Sequence, residues 1–173
     1  MVSSVVFLSQ YQFSFGTLHL ASSERGLCAV AFPREAAGMR RWLTRRFDQG
    51  DFGSLPETSE VLREAVAQLR AYFAGELRRF TLPLDLIGTE FQQKVWRAVQ
   101  RVPYGETCAY GEVARRIGHP QAARAVGAAN GANPLPIIIP CHRVVGADGG
   151  LVKYGGGVEM KRKLLDLEMV SVP

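Results

Sequence analysis

Along the first third of the chain, short apolar runs alternate with turn residues, and the spacing then becomes helical. Val5 to Leu8, Thr17 to Leu20 and Leu27 to Phe32 read as strands, the second entered from a Gly16 turn and the third from Gly26. From Ala36 to Phe47 the residues Met39, Leu43 and Phe47 recur every fourth position, which predicts a helix. Gln49 to Glu57, rich in Gly, Asp and Pro, predicts a loop. A second helix is expected from Ser59 to Phe73, with Leu62, Val66, Leu69 and Phe73 on one face and Gly75 as its stop. Phe80 to Leu86 reads as extended, and Pro83 makes it an edge strand or a linker. The pattern divides here, into an N-terminal domain over residues 1–82 and a C-terminal domain over 83–173.

The second half opens on a capping box, with Thr89 as cap and Gln92 reaching back. Phe91, Val95 and Val99 form the apolar stripe of that helix, and Pro103-Tyr-Gly is its expected end. Two short helices follow, about Tyr110 to Ile117 and Gln121 to Ala129. Gly118-His119-Pro120 lies between them, Gly as a stop and Pro as a first-turn residue. This spacing fits a helix-turn-helix and equally an ordinary αα-corner. The second of the pair is built almost entirely of small residues around one long side chain, Arg124. A backbone stripped in this way can approach either a neighbouring helix or a nucleic-acid groove.

Composition narrows the class. With 47% hydrophobic and 21% charged residues in 173, the chain can bury a core. No apolar run reaches the ~20 residues of a membrane helix, and the start lacks the layout of a signal peptide. A cytoplasmic protein with no membrane partner is expected. Cys28, Cys108 and Cys141 are odd in number and widely spaced, so free thiols are expected, not a disulfide framework. His19, His119 and His142 do not complete a metal site by spacing, and no metal or cofactor is expected. The net charge is +5, and from Phe91 to Lys163 there are 11 Lys+Arg against 4 acids. That surplus fits a solvated basic surface and also a polyanionic partner.

The densest chemistry lies in Asn133-Pro-Leu-Pro-Ile-Ile-Ile-Pro-Cys-His-Arg-Val-Val-Gly. Three prolines stiffen it, and Ile137 to Ile139 should be buried. A thiol attacks only as thiolate, which a neighbouring cation or base favours. Cys141, followed by His142 and Arg143, fits an activated nucleophile, and it also fits an inert buried cysteine. In extended backbone, neighbouring side chains point to opposite faces, so a water bridge between Cys141 and His142 is expected in place of a direct bond.

Pro140-Cys-His-Arg-Val, with Asn133-Pro before it and Tyr154-Gly-Gly-Gly and Lys163-Leu-Leu-Asp-Leu-Glu168 after it, closely resembles the O6-alkylguanine-DNA alkyltransferases, also called methylated-DNA–protein-cysteine methyltransferases. The series runs from Ala71-Tyr-Phe-Ala-Gly through Gly88-Thr-Glu-Phe-Gln-Gln-Lys-Val-Trp, Pro103-Tyr-Gly-Glu-Thr and Ala122-Ala-Arg-Ala-Val-Gly to Glu168, over half the chain. The resemblance implies an α+β two-domain protein. Its N-terminal domain would be a small antiparallel sheet with helices, ribonuclease H-like. Its C-terminal domain would be mostly helical with a helix-turn-helix, winged-helix-like.

The resemblance also implies roles. Cys141 would accept the alkyl group, His142 would be its water-mediated base, Glu168 would orient His142, and Asn133 would shape the Cys141 loop. Arg124 would replace the extruded base and Tyr110 would contact the rotated phosphate. Ala125, Gly127, Arg143 and Lys153 would complete the DNA contacts. Tyr154, Gly155, Gly156 and Val144 would line the guanine pocket. The partner would be double-stranded DNA carrying O6-alkylguanine, and by extension O4-alkylthymine, met by a monomer that acts once. A stacked base hides its O6 atom, so extrusion is required. A non-catalytic, lesion-sensing module of the same fold is the alternative, and Cys141 argues against it. Lys153 departs from the small or polar residue usual before the pocket tyrosine. As a cation it reaches a phosphate, or its stem packs along the loop with the ammonium in water.

Overall fold

Strand β1 (Val6–Phe13) turns at Gly16 into β2 (Gly16–Ser23), which turns again into β3 (Gly26–Ala31). The structure, a computed structural model, describes residues 6–47, 52–53, 59–152 and 154–170. Val5, the expected start of the first strand, and Lys153 lie outside the described residues. Both pairings are antiparallel, with Tyr11 opposite Leu18 and Leu20 opposite Val30. A short β4 (Phe52–Gly53) adds to the far side of β1 in parallel, giving the order β3-β2-β1-β4. The stretch expected as loop therefore contains a strand, because pairing with β1 supplies what local composition does not. Residues 49–51 and 54–57 of that stretch lie outside the described set.

Helix α1 (Ala36–Thr44) buries Leu43 as its spacing requires. Helix α2 (Glu60–Phe73) starts at Ser59, whose hydroxyl accepts from Leu62 N at 3.3 Å. Its buried face is Leu62, Ala65, Leu69 and Tyr72, turned slightly from the expected stripe. Phe73 is instead half-buried and tilts against Phe13, with ring centroids 4.5 Å apart. The segment after α2 hydrogen-bonds to β3, Leu27 N donating to Pro83 O and Asp85 N to Leu27 O, both at 2.9 Å. Gly26 makes this approach possible. Its φ of +149° and a built Cβ only 2.5 Å from Pro83 O exclude any side chain there.

The chain divides into two compact units, residues 1–86 and 87–173. The second begins with α3 (Glu90–Val99) and its full capping box: Gln92 N donates to Thr89 Oγ1 at 3.2 Å, and Thr89 N donates to Gln92 Oε1 at 2.9 Å. The helix ends at Val99, earlier than Pro103. Trp96, almost fully buried, donates its indole N–H to Ala129 O at 2.8 Å and anchors α3 to α5 (Ala123–Gly131). Strand β5 (Cys108–Ala109) leads into α4 (Tyr110–Arg116), which packs on α5. Helix α4 closes at Gly118, φ +80°, with Gly118 N bonded to Arg115 O and His119 N to Ala114 O. Pro120 stands three residues before α5 and is not in its first turn. After a 3-10 turn at Cys141–Arg143, β6 (Val144–Val145) runs parallel to β5, and α6 (Val158–Val170) ends the fold. Among the described residues no helix is long and apolar enough to cross a membrane.

Candidate active site

The segment before Cys141 is held by its own backbone and by one amide. Asn133 Oδ1 accepts from Leu135 N, and Asn133 Nδ2 donates to Ile139 O, each at 2.9 Å, stapling both ends of the proline-rich loop. Inside it Ile137, fully buried, adopts φ +75°. A β-branched residue in this region costs about 1–3 kcal/mol and persists only where the surroundings impose it. Pro136, Pro140 and the Ile139 N to Leu135 O bond (2.8 Å) impose it here. The strained turn delivers Cys141 into a 3-10 turn, not the extended backbone expected from the sequence.

Cys141 is 5% exposed. Burial pushes its thiol up to about 11, opposed by a hydrogen bond from Asn133, the positive charge of Lys161 and a bond from Tyr154. At rest it is a thiol, so the fold does not produce the depressed pKa that His and Arg neighbours suggest. Such a thiol becomes a nucleophile only if its proton is removed.

A group able to take a proton follows Cys141 directly in the chain. His142 Nε2 lies 2.7 Å from Glu168 Oε1, with both side chains fully buried. The carboxylate accepts, so Nε2 carries the hydrogen and Nδ1 the lone pair. Among the described residues Nδ1 meets no hydrogen-bond partner. Burial lowers the pKa of His142 and keeps the imidazole neutral. Glu168 is itself held on three sides. Arg143 donates Nε to Oε2 and Nη2 to Oε1, each at 2.9 Å, and Gly105 N donates to Oε2 at 3.1 Å. Burial raises the carboxyl, but the bonds from His142 and Arg143 outweigh it and hold Glu168 at about 2.

Arg143 corrects an expectation. Family resemblance puts it among the DNA contacts, yet it is 5% exposed, and its remaining Nη1 donates to Val102 O at 2.7 Å. A guanidinium that is 5% exposed, with its fork on a buried carboxylate and Nη1 on a carbonyl, is turned inward and not presented to a phosphate.

The register of β5 on β6, Cys108 opposite Val144, sets the start of α4 beside the Cys141 turn. Tyr110 stands there half-buried, its phenol raised by burial and opposed by the Asn130 amide. Asn130 also donates to Cys141 O at 3.3 Å. Tyr154, half-buried, sets its ring edge-on to His142 at 6.5 Å between centroids. Gly155 is exposed, Gly156 is half-buried, and Val144 is fully buried. On α5 the exposed positions are Arg124, Ala125, Ala128 and Gly131, while Gly127 faces the Tyr110 ring. Arg124 is the one long side chain on that surface.

Sequence reasoning passes over two members of the site. Asn130 holds the Cys141 carbonyl and lowers the Tyr110 phenol against the effect of burial. Lys161 is fully buried and donates Nζ to Val144 O at 2.5 Å. Residues 161, 164 and 168 share one buried helical face, and that spacing is the signal that could have found Lys161. Among the described residues no group of His, Cys, Asp and Glu is placed to hold a metal ion.

The family described as 6-O-methylguanine DNA methyltransferase, DNA binding domain, matches residues 90–170, and its ribonuclease-like domain matches 6–86. The chain belongs to the 6-O-methylguanine DNA methyltransferase family. A relative from Methanosarcina acetivorans, a methylated-DNA–protein-cysteine methyltransferase, is 46% identical over 158 residues, 91% of this chain and 95% of its own. One of the same name from Mycobacterium leprae is 57% identical over 126 residues, 73% of this chain and 76% of its own. The crystal structure of Mycobacterium tuberculosis OGT in complex with DNA superposes with a TM-score of 0.80 at 46% identity, covering 96% of this chain and 95% of that one. In this methyltransferase family the two-domain arrangement, an antiparallel sheet with helices followed by a helical domain, is the shared fold.

Proposed function

We propose that this chain repairs duplex DNA by moving the alkyl group of O6-alkylguanine irreversibly onto Cys141. The activity class is that of its family, and the assignment of roles to residues is our reading. The observation that carries it is the buried His142–Glu168 pair next to Cys141, with a second imidazole nitrogen left to take a proton.

The thiol proton of Cys141 passes through one water to His142 Nδ1. The Cys141 sulfur bonds to the alkyl carbon, the carbon–O6 bond breaks, and its electron pair stays on the guanine oxygen. The guanine takes up one proton, returned from His142. Glu168 orients the imidazole and stabilises it while charged. The thioether is not hydrolysed back, so each molecule acts once.

A nucleophile that is 5% exposed cannot reach a stacked base, so the nucleotide must be turned out of the helix. The small-residue surface of α5 lies in the minor groove, with Ala125 and Gly127 allowing close approach and Arg124 filling the gap left by the base. Tyr110 meets the rotated phosphate, and Lys153 a phosphate of the same strand. Tyr154, Gly155, Gly156 and the backbone of Val144 form the pocket for guanine. One copy supplies every group named, so the protein acts as a monomer, in the cytoplasm. The presence of Cys141 opposes the lesion-sensing alternative.

Intact mass after incubation with excess O6-methylguanine duplex is the test. One methyl per chain, mapped by digestion to Cys141, is expected, with Cys141→Ala still binding DNA. Multiple turnovers, or a methyl on Cys28 or Cys108, would overturn the reading.

A further inference from the structure

The first unit carries a concentrated charge that the chemistry above does not use. Residues 34–46 contain five arginines, Arg34, Arg40, Arg41, Arg45 and Arg46, against a single acid, Glu35. Residues 1–86 as a whole hold ten basic and nine acidic side chains, so this is a local excess on a nearly neutral body. All five arginines are exposed, two of them within α1 and the other three on the turns that flank it, while Leu43 and Phe47 are buried. Glu35 is half-buried, and burial raises its carboxyl above the ordinary value, opposed by the Arg34 charge. Asp48 and Asp51 follow in the chain, outside the described residues. Counting both still leaves five positive against three negative.

Helix-end electrostatics explains only part of the cluster. A cation near the last turn complements the dipole, but Arg41 and Arg45 stand at i and i+4, where like charges repel unless an anion joins them. The Arg46 guanidinium lies over the Trp42 ring at 4.5 Å. Stacking fixes its plane and leaves its N–H edges free to point outward.

We infer that the exposed arginine cluster of residues 34–46, on α1 and its two flanking turns, is a second contact for duplex DNA, made to the phosphate backbone and independent of base sequence or lesion. Every basic residue of 1–86 is arginine, the side chain whose planar fork matches a phosphate bidentately. A membrane surface is disfavoured, because a helix lying in the lipid interface inserts its apolar side, and here that side is packed in the core. The inference rests on DNA being the substrate.

The experiment uses the full chain with Arg40, Arg41 and Arg45 changed together to Gln. Affinity for a long undamaged duplex is followed against salt, and alkyl transfer is followed separately with free O6-benzylguanine. The slope of log affinity on log salt should shrink by about two to three, with free-base transfer unchanged. Arg41→Gln alone should shrink it by about one, and Arg→Lys changes at all three sites should largely preserve it. These milder variants keep the test meaningful if the triple Gln variant fails to fold. An unchanged slope in the folded variants overturns the inference. So does loss of binding to phosphatidylserine vesicles with DNA binding intact. A wild-type chain that bound no DNA would instead defeat the functional reading itself.

Discussion

Glu168 joins two residues that are neighbours in sequence but differ in role. Its Oε1 lies 2.7 Å from His142 Nε2, and its Oε2 lies 2.9 Å from Arg143 Nε. One carboxylate holds the imidazole proposed as the base and neutralises a buried cation. Chemistry and stability are therefore coupled at this position.

Glu168→Gln keeps the shape and removes the charge, leaving Arg143 buried without its counterion. Breaking a buried pair on one side costs about 3–5 kcal/mol, so denaturant unfolding should show a loss of that order. The pH dependence has a definite sign. The Glu168 carboxyl is held at about 2 in place of its ordinary 4.5. Its contribution is complete above 4.5 and is lost as pH falls toward 2. The wild type should show this acid limb and Glu168→Gln should lack it. An identical acid limb in both would assign it to other groups.

The rate should report His142. Burial lowers its pKa beneath the ordinary 6.5, so the base is competent above that lowered value and fails as pH falls through it. Transfer from a free-base substrate should therefore be flat at neutral pH and decline on the acid side. In His142→Ala only the spontaneous thiolate remains, and the Cys141 thiol lies near 11. Its rate should start lower and climb about tenfold per pH unit toward that value. A flat profile in His142→Ala would remove His142 from proton transfer.

What can be read from the sequence depends on how local each feature is. The capping box at Thr89 and Gln92 is legible because four residues contain all of it. The end of β1 is not, since Leu8 to Phe13 extend only by pairing with β2, and β4 is a strand only beside β1. The convergence of Cys141, His142 and Glu168 is visible only through family resemblance. Their separation by up to 27 positions gives no periodic signal of contact. Arg143 is misplaced for the same reason. The resemblance sets it among the DNA contacts, and only the return of α6 with Glu168 reveals its partner. Lys161 is the avoidable omission, because it shares a helical face with Leu164 and Glu168.

Arg124 is exposed at the centre of a small-residue surface, and its proposed work is done only in duplex DNA. Extrusion of a nucleotide costs a few kcal/mol. Losing even ~1.4 kcal/mol of compensation slows the reaction about tenfold. Arg124→Ala should repair duplex O6-methylguanine at least about tenfold more slowly while reacting normally with free O6-benzylguanine. Equal losses on both substrates would make the residue structural.

Lys161 should tune the nucleophile itself. Its side chain is fully buried, donates to Val144 O, and places a positive charge whose effect is to lower the Cys141 pKa. Burial in turn lowers the pKa of Lys161, so its charge is retained against a desolvation cost. Packing alone does not require that, since an apolar chain of similar length would fill the space. The ammonium therefore acts as a positioning group that favours the thiolate as it forms. Lys161→Met keeps the volume and deletes the charge, so the Cys141 thiol should rise further. Alkylation of Cys141 by iodoacetamide, read at several pH values by intact mass, should shift its midpoint upward. Transfer from duplex and free-base substrates should slow by the same factor, because no DNA contact has changed. Lys161→Arg, which restores the charge, should recover part of the lost reactivity if the larger head is accommodated. Unaltered Cys141 reactivity in Lys161→Met, with only a lower melting temperature, would reduce Lys161 to a support for the Val144 carbonyl.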